Sequence, residues 1–298
     1  MKTKIFLLSS LIFVLSACKK DVGLSDCDGD GLSFDVNSVN VCYEGELNTS
    51  SSPCDFVVSY DSTNFWGLTF NPNNSDELAF IYNKNLENGQ ICCRKLFIYD
   101  HKTNTKLKEI NFPVEPYTQP RWGTNDYFIY GGIDTKIYKF KSDGTDFQYL
   151  IDGGAPLWDS TGEKFAFSRG MGEPIFIADE DGALLDSLSL VVNYAISDWS
   201  STGKLLYDFS YFDFASDTTV PIFLINDFGL NIFRKRWGMN TNEIVTTSKD
   251  LGLGTYNIEE RKFDLFKSNC SGRYYSTLDV SADKKYIATI VDIWKVIA

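Results

Sequence analysis

One unit recurs six times along this chain: an aromatic or apolar anchor, a short polar turn, and an apolar run long enough for one strand. The anchors with their turns are Phe70-Asn71-Pro72-Asn73, Trp122-Gly123-Thr124-Asn125, Trp158-Asp159-Ser160-Thr161-Gly162, Trp199-Ser200-Ser201-Thr202-Gly203, Trp237-Gly238-Met239-Asn240 and Val280-Ser281-Ala282-Asp283. Each turn leads into a strand, such as Leu78-Ala79-Phe80-Ile81-Tyr82, Tyr127-Phe128-Ile129-Tyr130 or Phe165-Ala166-Phe167-Ser168. Successive anchors lie 52, 36, 41, 38 and 43 positions apart. A unit of that length suits one four-stranded sheet that buries its faces only by stacking against its neighbours.

The second half of the unit repeats as well. Ile137-Tyr138-Lys139-Phe140 leads into Ser142-Asp143-Gly144, Ile175-Phe176-Ile177-Ala178 into Glu180-Asp181-Gly182, and Ile222-Phe223-Leu224-Ile225 into Asp227-Phe228-Gly229. Glycine there supplies the positive φ of a tight hairpin turn. Phe97-Ile98-Tyr99-Asp100 and Thr255-Tyr256-Asn257-Ile258 are read as the same element. Aromatics make up 15% of the chain, and no stretch carries a helical apolar period. The expectation is an all-β, six-bladed β-propeller of four-stranded blades. The sixth unit stops at Ile297-Ala298 and lacks its outermost strand, so an N-terminal strand from 33–47 or 56–60 is expected to close the ring and cover the sheet edge.

The runs Trp158-Asp159-Ser160-Thr161-Gly162-Glu163-Lys164-Phe165-Ala166-Phe167 and Trp199-Ser200-Ser201-Thr202-Gly203-Lys204-Leu205-Leu206-Tyr207 resemble the W-S-x-D-G-K-x-I-A-F repeat of TolB-type six-bladed propellers. The resemblance spans roughly 65–297 and concerns the blade. It implies no chemistry, and it does not extend to the Tol envelope machine.

Ahead of the repeats, Lys2 and Lys4 precede an apolar run over 5–15, and small Ser16 and Ala17 come before Cys18. This run is shorter than the ~20 residues that a membrane span needs, and it has the form of a secretory signal. It resembles a bacterial lipoprotein signal, which implies a diacylglyceryl group on Cys18 and cleavage before it. The expected division is therefore a signal peptide at 1–17, a lipid anchor and acidic tether at 18–33, and a propeller domain at 34–298. Lys19 follows the lipidated cysteine where an aspartate would resemble an inner-membrane retention signal, so the outer membrane is the favoured address.

The chain's net charge of −12 deepens to −14 once Lys2 and Lys4 leave with the signal. Such a chain is repelled by nucleic acid and by an anionic membrane surface, which leaves the lipid as its membrane contact. Export exposes Cys27, Cys42, Cys54, Cys92, Cys93 and Cys270 to oxidising conditions, and 15 pairings are open. A bridge between Cys42 and Cys54 would close the short stretch between them. Zinc is disfavoured, since there is no C-x-x-C pair and His101 is the only histidine.

Ligand chemistry is concentrated in two places. Asp26-Cys27-Asp28-Gly29-Asp30-Gly31 has the alternating carboxylates of the first half of a calcium loop, with Asn37 at the position normally held by a bidentate acid. Asp26, Asp28 and Asp30 are its candidate ligands, and calcium is the one cofactor the pattern allows. The other place is the propeller face where blade-to-blade connections and second-to-third strand loops gather, read as 82–90, 117–119, 131–134, 169–173, 211–217 and 249–252. Arg169, Glu173, Tyr211 and Asp213 are the candidate ligand-binding residues there, because aromatics beside charges suit sugar or protein surfaces. His101 and the anchors are read as structural. No G-x-S-x-G, H-E-x-x-H or P-loop pattern occurs. The expected function is a lipid-anchored, non-catalytic binding module for an envelope protein or glycan. The alternatives are a carbohydrate-active enzyme pairing carboxylates among Asp134, Glu173 and Asp213, and a purely structural envelope lipoprotein.

Overall fold

The protein is described by a computed structural model, which covers residues 38–43, 55–59, 63–85, 91–192, 196–222, 232–238, 242–248, 252–268 and 273–293. Its elements in chain order are β1 (Ser38–Tyr43), β2 (Asp55–Ser59), β3 (Thr63–Asn71), β4 (Asn74–Asn85), β5 (Ile91–Asp100), β6 (Thr105–Asn111), β7 (Arg121–Trp122) and β8 (Tyr127–Gly131). They continue as β9 (Lys136–Lys141), β10 (Gln148–Asp152), β11 (Gly154–Trp158), β12 (Lys164–Ser168), β13 (Glu173–Asp179), β14 (Leu184–Val192), β15 (Ile196–Trp199) and β16 (Lys204–Tyr207). The last are β17 (Ser210–Asp213), β18 (Thr218–Pro221), β19 (Ile232–Trp237), β20 (Glu243–Ser248), β21 (Gly252–Asn257), β22 (Lys262–Ser268), β23 (Arg273–Val280) and β24 (Tyr286–Ile293).

Five four-stranded sheets are each built from consecutive strands, β3–β6 through β19–β22, and a sixth has the order β2-β1-β24-β23 and so joins both ends of the described chain. All the pairings are antiparallel. The first strands of neighbouring sheets pack in sequence, β3 on β7, β7 on β11, β11 on β15, β15 on β19 and β19 on β23, and β23 packs back on β3. The chain is therefore a propeller of four-stranded blades. The composite sheet corrects one expectation: the N-terminal segment contributes two strands to it, where one was expected. Only β23 and β24 come from the C-terminal end, so both 38–43 and 55–59 are needed to complete four strands, with Val39 opposite Ile290 and Val58 opposite Val39.

Stacking explains the apolar second strands. Side chains alternate faces along a strand, and here both faces are covered by a neighbouring sheet. Leu78 and Phe80 pack with Ala288 and Ile290 of the composite sheet, whereas Ala79 and Ile81 pack with Trp122 and Phe128 of the next one. Phe165 and Phe167 face Ile129 and Ile137, and between them Ala166 faces Trp199 and Leu205. One apolar cluster fills each of the six gaps between sheets. A strand covered on both sides reads as an unbroken apolar run, and each large side chain so buried contributes about 1.5–3 kcal/mol.

The anchors sit where the repeat places them, at the end of each first strand, and all six are buried. They serve packing and backbone satisfaction between sheets: the Trp158 indole N–H donates to the Tyr127 carbonyl at 3.2 Å, and that of Trp237 to the Lys204 carbonyl at 3.1 Å. His101 is likewise structural, with Nε2 3.0 Å from the Ser75 carbonyl and its ring edge-on to Phe70 and Tyr286.

Candidate functional site

The two ends of the ring differ in what they are made of. The anchor end carries the hairpins that join first to second and third to fourth strands, and these are tied down by side-chain caps. The Asp100 carboxylate accepts the Lys102 and Thr103 N–H groups, Asp179 those of Asp181 and Ala183, and the Asn257 amide oxygen those of Glu259 and Glu260. Gly182 in one of these turns has φ +88, and a Cβ there would lie 2.7 Å from the Leu150 carbonyl oxygen, so glycine is required.

Asp213 belongs to this set. It is the last residue of β17, its carboxylate accepts the Ala215 N–H at 3.0 Å, and the turn it opens packs on the first hairpin through the Phe214 N–H to the Gly203 carbonyl at 3.1 Å. The expected loop over 211–217 is thus a strand end and a third-to-fourth strand hairpin at the anchor end. The reason is a two-residue turn, Asp208-Phe209, with Asp208 at φ 37, which starts β17 earlier than its aromatic and polar sequence suggests. Ile222 then follows the fourth strand, so the expected third strand at 222–225 is displaced by β17 and the turn read at 227–229 lies outside the described residues. Tyr211 is a half-buried mid-strand residue, edge-on to Trp237 at 5.5 Å, and burial raises its hydroxyl pKa.

Arg169 and Glu173 do lie at the opposite, connection end. They flank the turn from β12 to β13, where the Glu173 N–H donates to the Gly170 carbonyl and the Arg169 guanidinium stacks 4.6 Å from the Phe176 ring centroid. Asp134 lies at the same end on the neighbouring sheet, where it accepts the Tyr138 hydroxyl at 2.5 Å. Of the four candidate binding residues, Arg169 and Glu173 lie at the connection end, Asp213 at the anchor end and Tyr211 within a strand, so Asp213 is not available to pair with Asp134 or Glu173.

The connection end does expose three large apolar side chains that charge and motif reading did not single out. Tyr117, Ile133 and Met171 are 75%, 57% and 82% exposed. The connection before β7 is bonded to the loop after β8: the Tyr117 and Thr118 N–H groups donate to the Gly131 carbonyl, and the Ile133 N–H to the Glu115 carbonyl. Arg94 flanks it, 3.1 Å from Glu115 and donating to the Pro116 carbonyl at 2.7 Å. Met171 crowns the β12–β13 turn of the adjacent sheet. The available signal was three bulky apolar residues in predicted loops, where nothing local buries them.

A second concentration of charge lies around the first strands, towards the anchor end. Asp198 accepts the Trp199 and Trp237 N–H groups at 3.0 and 2.8 Å. Asp279 accepts the Phe70 N–H at 2.7 Å and the Arg236 Nε at 2.6 Å, both components of this ion pair being nearly buried. Thr69 accepts the Trp122 N–H at 3.4 Å. In each case the residue just before an anchor receives the anchor N–H of the following sheet.

Desolvation pushes the Asp198 carboxyl up to about 6 from its ordinary 3.8, with Lys284 and the two backbone N–H groups opposing the rise. A raised native pKa means that the folded state holds the proton more tightly. Stability from this group is therefore greatest below about pH 4 and is lost as pH rises to about 6. Part of the residue's surface still meets water, so the Asp198→Asn variant is expected to gain on the wild type by on the order of 1–2 kcal/mol between about pH 4 and pH 7. Denaturant midpoints at the two pH values measure this, and a pH-independent difference would contradict it.

Among the described residues no group of three or more His, Cys, Asp or Glu side chains is placed to hold a metal ion. Cys18, the expected calcium ligands Asp26, Asp28 and Asp30, and Cys27, Cys54 and Cys270 lie outside the described residues, as do the expected signal and tether. Cys42 stands opposite Ile287 on β1, and Cys92 and Cys93 are consecutive positions of β5.

No family model matches the chain, and no curated protein does. Among solved structures, the chain is similar to the β-propeller domain of Myceliophteria thermophila Cps50 (Swd1), at 9% identity, with 80% of this chain and 86% of that one covered and a TM-score of 0.52. The C-terminal WD40 domain of Sif2 is matched at 12% identity over 81% of this chain and 73% of that one, with a TM-score of 0.47. At such identities the likeness concerns fold alone: an all-β propeller of four-stranded blades.

Proposed function

We propose that this protein is a lipid-anchored, six-bladed propeller of the cell envelope, favouring the outer membrane, which acts without catalysis of its own as a protein-interaction module. The observation that carries the reading is the exposure of Tyr117, Ile133 and Met171 on two adjacent sheets at the connection end. Exposed aromatic and methionine side chains with a charged rim, here Arg94, Glu115, Asp134, Arg169 and Glu173, have the composition of a protein interface centre and its border. A rigid ring supports it, and the absence of a recognisable catalytic motif in the sequence agrees with binding rather than turnover. Fold alone assigns no function.

Crosslinking in cells followed by mass spectrometry of what is captured tests the reading. The wild type is expected to capture one abundant envelope protein, and the Tyr117→Ser/Ile133→Ser/Met171→Ser variant to lose that capture by tenfold or more while unfolding at the same temperature. Equal capture by both would reject this surface. A Cys18→Ser form is expected to leave the membrane fraction, and its retention there would reject the lipid anchor.

A further inference from the structure

We propose that Arg121, held beside Arg236 on the first strands of the ring, binds a small oxyanion, a carboxylate or a phosphate. Arg121 on β7 and Ser197 on β15 belong to sheets separated by a whole intervening sheet, β11–β14. Even so, Arg121 Nη2 reaches to 3.4 Å from the Ser197 carbonyl oxygen, past that intervening sheet. Arg236 Nη1 donates to the same oxygen and to the Lys235 carbonyl, and its Nε is taken by Asp279. Two guanidinium groups thus converge on one backbone oxygen.

Only one of the two charges is matched. Asp279 neutralises Arg236, and Asp198 is turned to two backbone N–H groups, with Lys284 nearby donating to the Trp237 carbonyl. Arg121 has no carboxylate partner among the described residues, and its single bond is long for a hydrogen bond. A guanidinium has five N–H donors in a planar fork that fits the paired oxygens of a carboxylate or phosphate. An oxyanion at the Arg121 fork would supply the counter-charge that Arg121 lacks and occupy the donors that Ser197 leaves over.

Buried Trp122 and Trp237 directly follow the two arginines in sequence, so indole fluorescence reports on the site. The test is a fluorescence titration of the full chain with inorganic phosphate and, separately, with citrate, each against sodium chloride of equal ionic strength. A saturable change with either anion that chloride does not produce, weakened at least tenfold in Arg121→Gln, is expected. Saturation by citrate alone identifies a carboxylate ligand and by phosphate alone a phosphate one. The Arg121→Lys variant, which keeps the charge and loses the fork, is expected to bind more weakly than wild type and guards against a folding defect in the glutamine variant. No saturable response to either anion, or an unchanged response in both variants, would overturn the proposal.

Discussion

Asp279→Ala is expected to destabilise the protein by about 3–5 kcal/mol, because it leaves a buried guanidinium without its counter-charge. Asp279 binds three sheets together. It stands on β23 of the composite sheet, accepts the Arg236 Nε from the sheet before, and accepts the Phe70 N–H from the sheet after. Removing the carboxylate leaves both donors short of their acceptor, and Arg236 is only 4% exposed. Thermal unfolding should fall by roughly 10 °C, given about 2–4 °C per kcal/mol for a domain of this size. Asp279→Asn keeps an acceptor for Phe70 and loses the charge, so its loss should be smaller. An alanine variant within about 1 kcal/mol of wild type, the size of one ordinary hydrogen bond, would show that the pair contributes little.

Removing residues 1–61 is expected to have a still larger effect, because it takes both β1 and β2 from the composite sheet. What remains of that sheet is the pair β23 and β24, and a two-stranded sheet is marginal in water. The edge of β24 that normally pairs with β1 from Ser38 opposite Val291 to Tyr43 opposite Tyr286 would lie open. An open apolar edge templates association. The truncated chain should therefore elute as aggregate in size-exclusion chromatography and show no cooperative unfolding transition, and a peptide spanning 34–62 added during refolding should restore monomer. A truncated chain that stays monomeric with an unchanged midpoint would mean that the ends do not clasp the ring.

The elements legible in the sequence share one property, which is that their cause is local. Six anchors, the polar turns behind them, and strands such as Phe165-Ala166-Phe167 follow from alternation and burial on both faces, and the all-β propeller class follows from their spacing. The N-terminal closure was legible as an open edge at the C-terminus that something had to cover, but how many strands covered it was not. In the fourth unit, Tyr211-Phe212-Asp213 resembles a polar aromatic loop until the backbone turns within two residues at Asp208-Phe209 and pairs Asp213 with Lys204. That error placed Asp213 at the wrong end of the ring and made a loop residue of Tyr211, which lies within a strand.

The sequence by itself determined the class of fold, the repeat and the turns, because backbone periodicity and turn chemistry act over a few residues. Tertiary structure alone decided which side chains meet. Phe70 and Asp279 are 209 positions apart and bonded, Arg121 reaches Ser197 past an intervening sheet, and Tyr117 and Ile133 lie on loops bonded to each other. No local pattern encodes such meetings, since they arise only when the ring closes and brings sheets from distant parts of the chain into register.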